Sequence, residues 1–196
     1  MREDKILEIF YYISKNSRGN NSCTIERAMR YLYFADRFHV LKYGTLISGD
    51  CYFVKSTGAF AVNSELILRE ALKNGSEAIE VVGYNIFGPT SENFKIKYLK
   101  KSEIEALDFA IKSLKKIMNK ELLKLVKEFP EYKRYAGALK NRGASRFPLI
   151  LEDFFSKFQS KKHNFYSQIS NKQKKAAKKK FLGESKEGAN SSTPKT

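Results

Sequence analysis

The 196-residue sequence lacks the features that mark several broad classes of protein. It has no tryptophan, two cysteines (Cys23 and Cys51) and no apolar run that approaches the roughly 18 residues of a membrane span. Two cysteines cannot build a disulfide framework, so we expect a reducing, cytoplasmic location. The first residues also show no apolar signal-peptide core. These absences exclude membrane-spanning proteins, disulfide-rich miniproteins, collagens and coiled coils.

Acidic residues are also in short supply. The chain has 37 Lys and Arg against 21 Asp and Glu, which gives a formal net charge of +16. A balance this positive indicates an acidic partner, such as nucleic acid, a membrane surface or an acidic protein. Apolar residues make up 42% of the chain and aromatic residues 13%, which is enough to build a packed core.

The most apolar stretch, residues 24–43, is the centre of the predicted fold. Its apolar side chains fall on more than one side of a helix, which is typical of a central, buried helix. Gly44 follows directly and is expected to end this helix. The pattern as a whole predicts a mainly α (α+β) single domain, with five to six helices around the central one and a small antiparallel sheet.

Weaker patterns surround the central helix. Other helices are predicted at 4–16, from about 64 to 73, at 103–118, from Asn119 to before Pro130, and at 149–158. Ser102 to Glu105 has the sequence of a capping box. Strands are predicted at 51–55, 79–83 and 94–98, the last two as a hairpin with a long loop. Residues 16–22 are predicted to form a turn, and residues 57–63 a loop.

Signatures of catalysis are sparse. The sequence contains no GxGxxG, Walker, HExxH, CxxC or GxSxG motif. His39 and His163 are its two histidines, and neither lies in a cluster with metal-ligand spacing. We therefore predict that the protein is not an enzyme and has no catalytic residue, cofactor or metal. Nucleophilic catalysis by Cys51, or by a serine near His39, stays an alternative, but we favour a structural role for both cysteines, since a free cysteine behaves chiefly as a small buried hydrophobic residue.

Asp36 and His39 are three residues apart and therefore lie on one face of the predicted helix. That face also carries apolar residues, including Met29 and Val40. A polar pair on an apolar face must be hydrogen-bonded or functional. We favour a structural pair that accepts bonds from the turn at 44–50.

The last part of the chain, residues 159–196, is rich in lysine. Eight Lys and two Glu fall within 168–196, and this composition predicts a basic tail that is disordered or partly helical. The lysines of its central run are Lys172, Lys174, Lys175, Lys178, Lys179 and Lys180. A solvated tail is the favoured interpretation, and a contact with nucleic acid or an acidic protein is the alternative.

Residues 31–52 read Tyr-Leu-Tyr-Phe-Ala-Asp-Arg-Phe-His-Val-Leu-Lys-Tyr-Gly-Thr-Leu-Ile-Ser-Gly-Asp-Cys-Tyr. This block closely resembles the signature of the Panacea domain, the SocA-like antitoxin domain that is also seen in phage-associated GepA-type proteins. Weaker matches follow in the same order at 99–108, 128–132 and 147–153. The positions that match the family's motif, and to which the resemblance gives a structural role, are Tyr33, Asp36, His39, Tyr43, Gly44, Gly49, Asp50 and Tyr52.

The resemblance implies a mostly helical domain over residues 1–158, followed by the basic tail at 159–196. It also implies a cytoplasmic, non-catalytic antitoxin of a toxin-antitoxin system, which neutralises a cognate toxin encoded beside it by direct protein–protein binding. A nucleic-acid-binding regulator that uses the tail, and an adaptor that delivers a client to a protease, are the alternatives. No membrane partner is expected.

We expect the toxin contact to include the segment at 55–66 and the helix that follows, with Phe60 as an aromatic anchor. The predicted contact residues are Lys55, Phe60, Val62, Glu65 and Arg69.

Overall fold

The computed structural model describes residues 2–17, 22–88, 94–141, 146–158 and 165–190. The α-helices in these ranges are α1 (Glu3–Ser17), α2 (Ile25–Tyr43), α3 (Val62–Asn74), α4 (Lys101–Leu114), α5 (Asn119–Val126), α6 (Pro130–Lys133), α7 (Ala136–Asn141) and α8 (Asn171–Asn190). A 3₁₀ helix covers Leu151–Phe155. The strands are β1 (Ser22–Thr24), β2 (Tyr52–Lys55), β3 (Gly58–Ala61), β4 (Glu80–Val82), β5 (Asn85–Phe87) and β6 (Phe147–Pro148).

Helix α2 is the centre of the molecule. Every residue from Arg27 to Leu41 is buried, and α2 packs against α4, α8, α1, β3 and the 3₁₀ helix. The hydroxyl of Thr24 caps its first turn by accepting a hydrogen bond from the Arg27 amide at 3.2 Å. Gly44 ends the helix in the left-handed conformation, with φ of 78°. The central apolar helix is confirmed.

The strands form two small antiparallel sheets, with strand orders β1-β5-β4 and β3-β2-β6. The predicted class, mainly helical with a small antiparallel component, is confirmed. The structure has more helices than the five to six expected. The additional ones include α6 and α7, which have four and six residues and are too short for an apolar period to appear in the sequence.

Two local predictions in the strand region were wrong. Part of the predicted loop at 57–63 is β3, because Gly58 to Ala61 pair residue by residue with β2. Residues 94–98 are not a strand, since the amides of Lys97 and Tyr98 donate instead to the Glu8 carboxylate at 2.7 and 2.8 Å. The partner of β4 is β5. The turn predicted at 16–22 lies largely outside the described residues.

Two helix starts also differ from the prediction. Helix α4 begins at Lys101, and the Glu103 carboxylate accepts the Lys100 amide at 2.8 Å, so the capping box lies two residues earlier than expected. The helix predicted at 149–158 is a five-residue 3₁₀ helix. In both places the apolar spacing indicated a helix but did not fix its first residue.

The C-terminal helix α8 is docked on α2. Tyr166 and Ile169, just before α8, are buried together with Ala177. The Phe181 ring lies 5.8 Å from that of Phe155. Of the two states predicted for the basic segment, the helical one is present over Asn171–Asn190. Ala177 and Phe181 give this helix an apolar face to bury. The division of the chain at residue 158 stays a prediction.

Gly44, the residue that ends α2, lies close to the backbone of α8. A Cβ atom placed on Gly44 would lie 2.6 Å from the carbonyl oxygen of Ala177 and 3.2 Å from the Cβ of Lys180. Glycine is therefore needed here twice, for its positive φ and for the space that α8 occupies.

Candidate functional site

The carboxylate of Asp36, in the middle of α2, is fully buried. It accepts hydrogen bonds from the amides of Ile47 and Ser48 at 2.5 and 3.1 Å. The hydroxyls of Ser48 and Tyr52 donate to its other oxygen at 2.5 and 2.7 Å. Burial raises the pKa of Asp36 in spite of these bonds. Asp36 thus ties the central helix to the turn that follows it and to β2.

A second buried carboxylate, Asp50, joins that turn to α3. It accepts the amides of Asn63 and Ser64 at 3.1 and 2.7 Å, together with the Ser64 hydroxyl at 2.7 Å. Helix α3 has Ala61 at its N-cap position, which offers no side-chain acceptor. Asp50 therefore caps α3 from a distant part of the chain. We call Asp36, Ser48, Asp50, Tyr52 and Ser64 the aspartate network.

His39 has partners of its own and does not depend on Asp36 for them. Its Nδ1–H donates to the carbonyl of Thr45 at 2.7 Å, and Nε2 lies 3.2 Å from the Ser102 hydroxyl. Burial lowers the pKa of His39, so the ring is neutral and Nε2 accepts from Ser102. The next motif residue on this face, Tyr43, donates its hydroxyl to Glu105. Both side chains thereby join α2 to α4.

Tyr33 links α2 to α6 through a buried ion pair that the sequence did not reveal. Its hydroxyl donates to the Glu131 carboxylate at 2.5 Å, and the same oxygen accepts Arg37 Nε at 2.8 Å. Arg37 and Glu131 are both buried, and the Arg37 guanidinium lies 4.3 Å from the centre of the Phe129 ring. Residues 94 positions apart in sequence have no local pattern that would pair them.

A groove of about 450 Å³ opens between α2, β3, α3 and the turn that joins β4 to β5. Its buried walls include Met29, Leu68 and Val126. Leu72 and Tyr84 stand at its mouth with 48% and 84% of their surfaces exposed. Tyr84 follows Gly83, which has a φ of 58° in this two-residue turn.

Charged side chains also line the groove. Arg30 pairs with Glu26 on α2, and Arg69 Nη2 lies 2.6 Å from Glu65 on α3. The Lys55 ammonium sits 3.8 Å from the centre of the Phe60 ring. Among the described residues Lys55 has no carboxylate partner. Within the described part of the protein, Lys55 is therefore a groove cation without a counter-ion.

The structure brings four of the five predicted contact residues to this groove, namely Lys55, Phe60, Glu65 and Arg69. Val62 is half-buried at the first position of α3 and is not among the lining residues. Sequence reasoning missed Leu72 and Tyr84. The Val-Gly-Tyr-Asn sequence at 82–85 could have indicated a tight turn carrying an exposed tyrosine.

The aspartate network holds two walls of the groove. Asp50 caps α3, which carries Glu65, Arg69 and Leu72. Asp36 fixes Tyr52 at the start of β2, and β2 pairs with the strand that carries Phe60. The remaining motif position in this region, Gly49, is exposed in the turn with φ of 64°.

The six lysines singled out in the basic segment lie on α8. Five are exposed, and Lys174 is half-buried on the side that faces the domain. Lys180 is close to Gly44 through its Cβ.

The residues that the structure describes hold no group of three or more His, Cys, Asp or Glu placed to bind a metal ion. Nor does any helix among them combine the length and apolar character required to cross a bilayer. The burial expected of both cysteines is found for Cys23 but not for Cys51, which precedes β2 and is exposed.

Comparison with known protein families gives a match, and the matched region contains both the aspartate network and most of the groove. The family model described as antitoxin SocA-like, Panacea domain, matches residues 29–133, more than half of the chain. The chain belongs to the SocA-like Panacea family. The match runs from α2 to the end of α6, so α8 lies beyond it. Neither a search of curated proteins nor a search of solved structures gave a match.

Proposed function

We propose that this protein is the antitoxin of a toxin-antitoxin system and that it neutralises its toxin by binding it in the groove. Membership of the Panacea family supports the antitoxin role. The observation that carries the choice of surface is the apolar mouth of the groove, where Leu72 and Tyr84 are exposed beside buried walls. Exposed aromatic and aliphatic side chains at the rim of an apolar cavity are typical of a protein-binding site.

The chemistry of the groove defines the segment of toxin that would fit it. An apolar side chain of the toxin would fill the space between Met29, Leu68 and Phe60, and Tyr84 would close over it. Full burial of one large apolar side chain contributes about 2 kcal/mol. An acidic residue next to it would pair with Lys55, whose ammonium has no carboxylate partner in the described part of the protein.

Contacts within the protein hold the walls of the groove in place before any partner binds. One wall is α2, which is buried along most of its length, and two others are fixed by the aspartate network. A preformed surface loses little conformational entropy on binding, so more of the contact energy appears as affinity. The net charge of +16 would raise the rate of encounter with an acidic toxin.

Neutralisation by binding predicts that the toxin stays present but inactive. The test is co-expression with the protein encoded by the adjacent gene, with growth and toxin level both measured. The wild-type antitoxin should restore growth without lowering the amount of toxin. Harmlessness of the neighbouring protein on its own would refute the antitoxin role, and a toxin that disappears would favour delivery to a protease.

Two pairs of exposed apolar residues separate the groove from general surface effects. Leu72 and Tyr84 line the groove, whereas Leu66 on α3 and Val82 on β4 are 55% and 54% exposed and do not. The double variant Leu72→Ser with Tyr84→Ser should lose neutralisation, with toxin affinity about a hundredfold weaker. The control, Leu66→Ser with Val82→Ser, should still protect. Equal protection by both variants would place the toxin contact elsewhere.

A further inference from the structure

Helix α8 has two opposite faces. The inner face carries Lys174, Ala177 and Phe181, which are buried or half-buried against the domain. The outer face carries Lys172, Lys175 and Lys179, all exposed. We call these three residues the lysine row. From residue 171 to 183 the helix contains no acidic residue, so no carboxylate within this stretch neutralises the row.

The position of the lysine row is fixed by the way α8 is docked. Ala177 is 3% exposed, and its carbonyl oxygen contacts the place where Gly44 has no side chain. Phe181 packs on Phe155 at a ring distance of 5.8 Å. Because the inner face is held, the lysines are presented outward in one row, about 4.5 and 6 Å apart along the helix axis. Successive ammonium groups can therefore reach different phosphates of one backbone.

We propose that the lysine row is a binding surface for nucleic acid, which it holds through the phosphate backbone and without reading sequence. Lysine ammonium groups are point charges that suit a continuous line of phosphates. The outer face offers no arginine fork and no aromatic ring that would read or stack a base. This surface is separate from the groove and goes beyond neutralisation of a toxin.

The structure favours nucleic acid over the other acidic partners. An amphipathic helix that binds a membrane inserts its apolar face, but the apolar face of α8 is already buried on the domain. An acidic protein presents carboxylates at irregular positions, whereas a nucleic-acid backbone presents a negative charge at regular intervals. A uniform row of lysines is better matched to a uniformly charged polymer.

The test uses the full-length protein and a fluorescently labelled DNA duplex of about 20 base pairs, with an RNA strand of the same length as a second probe. Binding is followed by anisotropy between about 50 and 200 mM salt. The wild type should bind both probes at low salt, with affinity falling steeply as salt rises. The triple variant K172Q/K175Q/K179Q should bind at least about tenfold more weakly, and its log–log salt slope should be smaller by about 2 to 3.

A matched control removes the same charge elsewhere. Lys101, Lys112 and Lys116 are exposed in and just after α4, and K101Q/K112Q/K116Q should weaken binding by less than about threefold. Equal losses in the two triple variants would overturn the proposal, since net charge alone would then explain binding. No binding at low salt would also overturn it, as would a lysine-row variant that loses toxin affinity and keeps nucleic-acid affinity.

Discussion

The surroundings of the two halves of helix α2 differ. Near the C-terminal half, buried carboxylates are hydrogen-bonded within the protein, and near the N-terminal half, apolar side chains are exposed. Around the C-terminal half, Asp36 and Asp50 accept nine hydrogen bonds between them, all from nearby amides, hydroxyls and one side-chain amide. Around the N-terminal half, Leu72 and Tyr84 expose apolar surface. Carboxylates that are hydrogen-bonded this fully inside the protein have little left to offer a partner. The region with unused apolar surface is the one that can bind.

This difference gives the recognisable family motif a supporting role. The residues that make the family easy to identify hold the walls of the groove, while the residues proposed to contact a toxin lie outside the aspartate network. Stability and binding should therefore respond to different substitutions.

The largest effect is expected from removing a carboxylate of the aspartate network. Asp36→Ala leaves four buried donors without an acceptor and opens a cavity, which should lower the free energy of unfolding by about 3–5 kcal/mol. Urea denaturation measures this directly. The control is Asp108→Ala, since Asp108 is exposed and accepts one bond from Tyr12, so its loss should cost about 1 kcal/mol or less. Similar midpoints for the two variants would show that the network does not support the fold.

The next effect is on affinity. Phe53 and Phe60 face each other across β2 and β3, but Phe60 lines the groove and Phe53 does not. Phe60→Ala should weaken toxin binding by about 2 kcal/mol, or roughly thirtyfold, because it removes both an apolar wall and the ring beneath Lys55. Phe53→Ala should change toxin affinity by less than about threefold. Calorimetric titration with purified toxin would decide, and matching losses would argue against the groove.

The central helix and the groove differ in how far they could be predicted from the sequence. The central helix was predictable because apolar residues surround 24–43, with Thr24 before it and Gly44 after it. The groove was predictable only in part, because the segment from Lys55 to Arg69 supplies some of its lining and the other walls come from separated segments. The acceptor that caps α3 is Asp50, 13 and 14 residues from the amides it bonds, and Tyr84 reaches the groove from another sheet.

The docked position of α8 was also beyond local patterns. The lysine run suggested a solvated tail, and the two apolar residues that pack against the domain, Ala177 and Phe181, form too short a pattern to predict packing. Only the tertiary structure shows that Gly44 makes room for the Ala177 backbone. Gly44 therefore has two roles. It ends α2, as the sequence predicted, and it leaves room for the backbone of α8, which only the structure shows.

A smaller effect is expected at this contact. Gly44→Ala should lower the free energy of unfolding by about 2 kcal/mol and loosen α8, because the new Cβ would meet the carbonyl of Ala177. Limited digestion with trypsin should then cut at the α8 lysines sooner than in the wild type. Gly49→Ala is the control, since Gly49 also has positive φ but open space around it. Digestion at the same rate in both variants would mean that α8 is not held at Gly44.

The smallest expected effect is the pH dependence at His39. Burial lowers the pKa of His39 in the folded protein below the ordinary value of 6.5. As the pH falls, the unfolded chain therefore binds a proton at this residue before the folded protein does. His39 therefore contributes stability above about pH 6.5 that is lost as the pH falls toward the folded pKa. His39→Gln keeps donor and acceptor groups but cannot titrate in this range, so its stability should fall less between about pH 7.5 and 5. Parallel curves from denaturation at each pH would contradict this assignment.

The most direct test of the central claim is hydrogen exchange of the full-length protein with and without the toxin, read by mass spectrometry. We predict that the toxin slows exchange in β3, in the middle of α3 around Arg69, and at the turn with Gly83 and Tyr84. Amides of Ile47 and Ser48, which already donate to Asp36, should exchange at the same rate in both samples. Protection confined to residues 36–52, with none at Phe60 or Tyr84, would contradict the account.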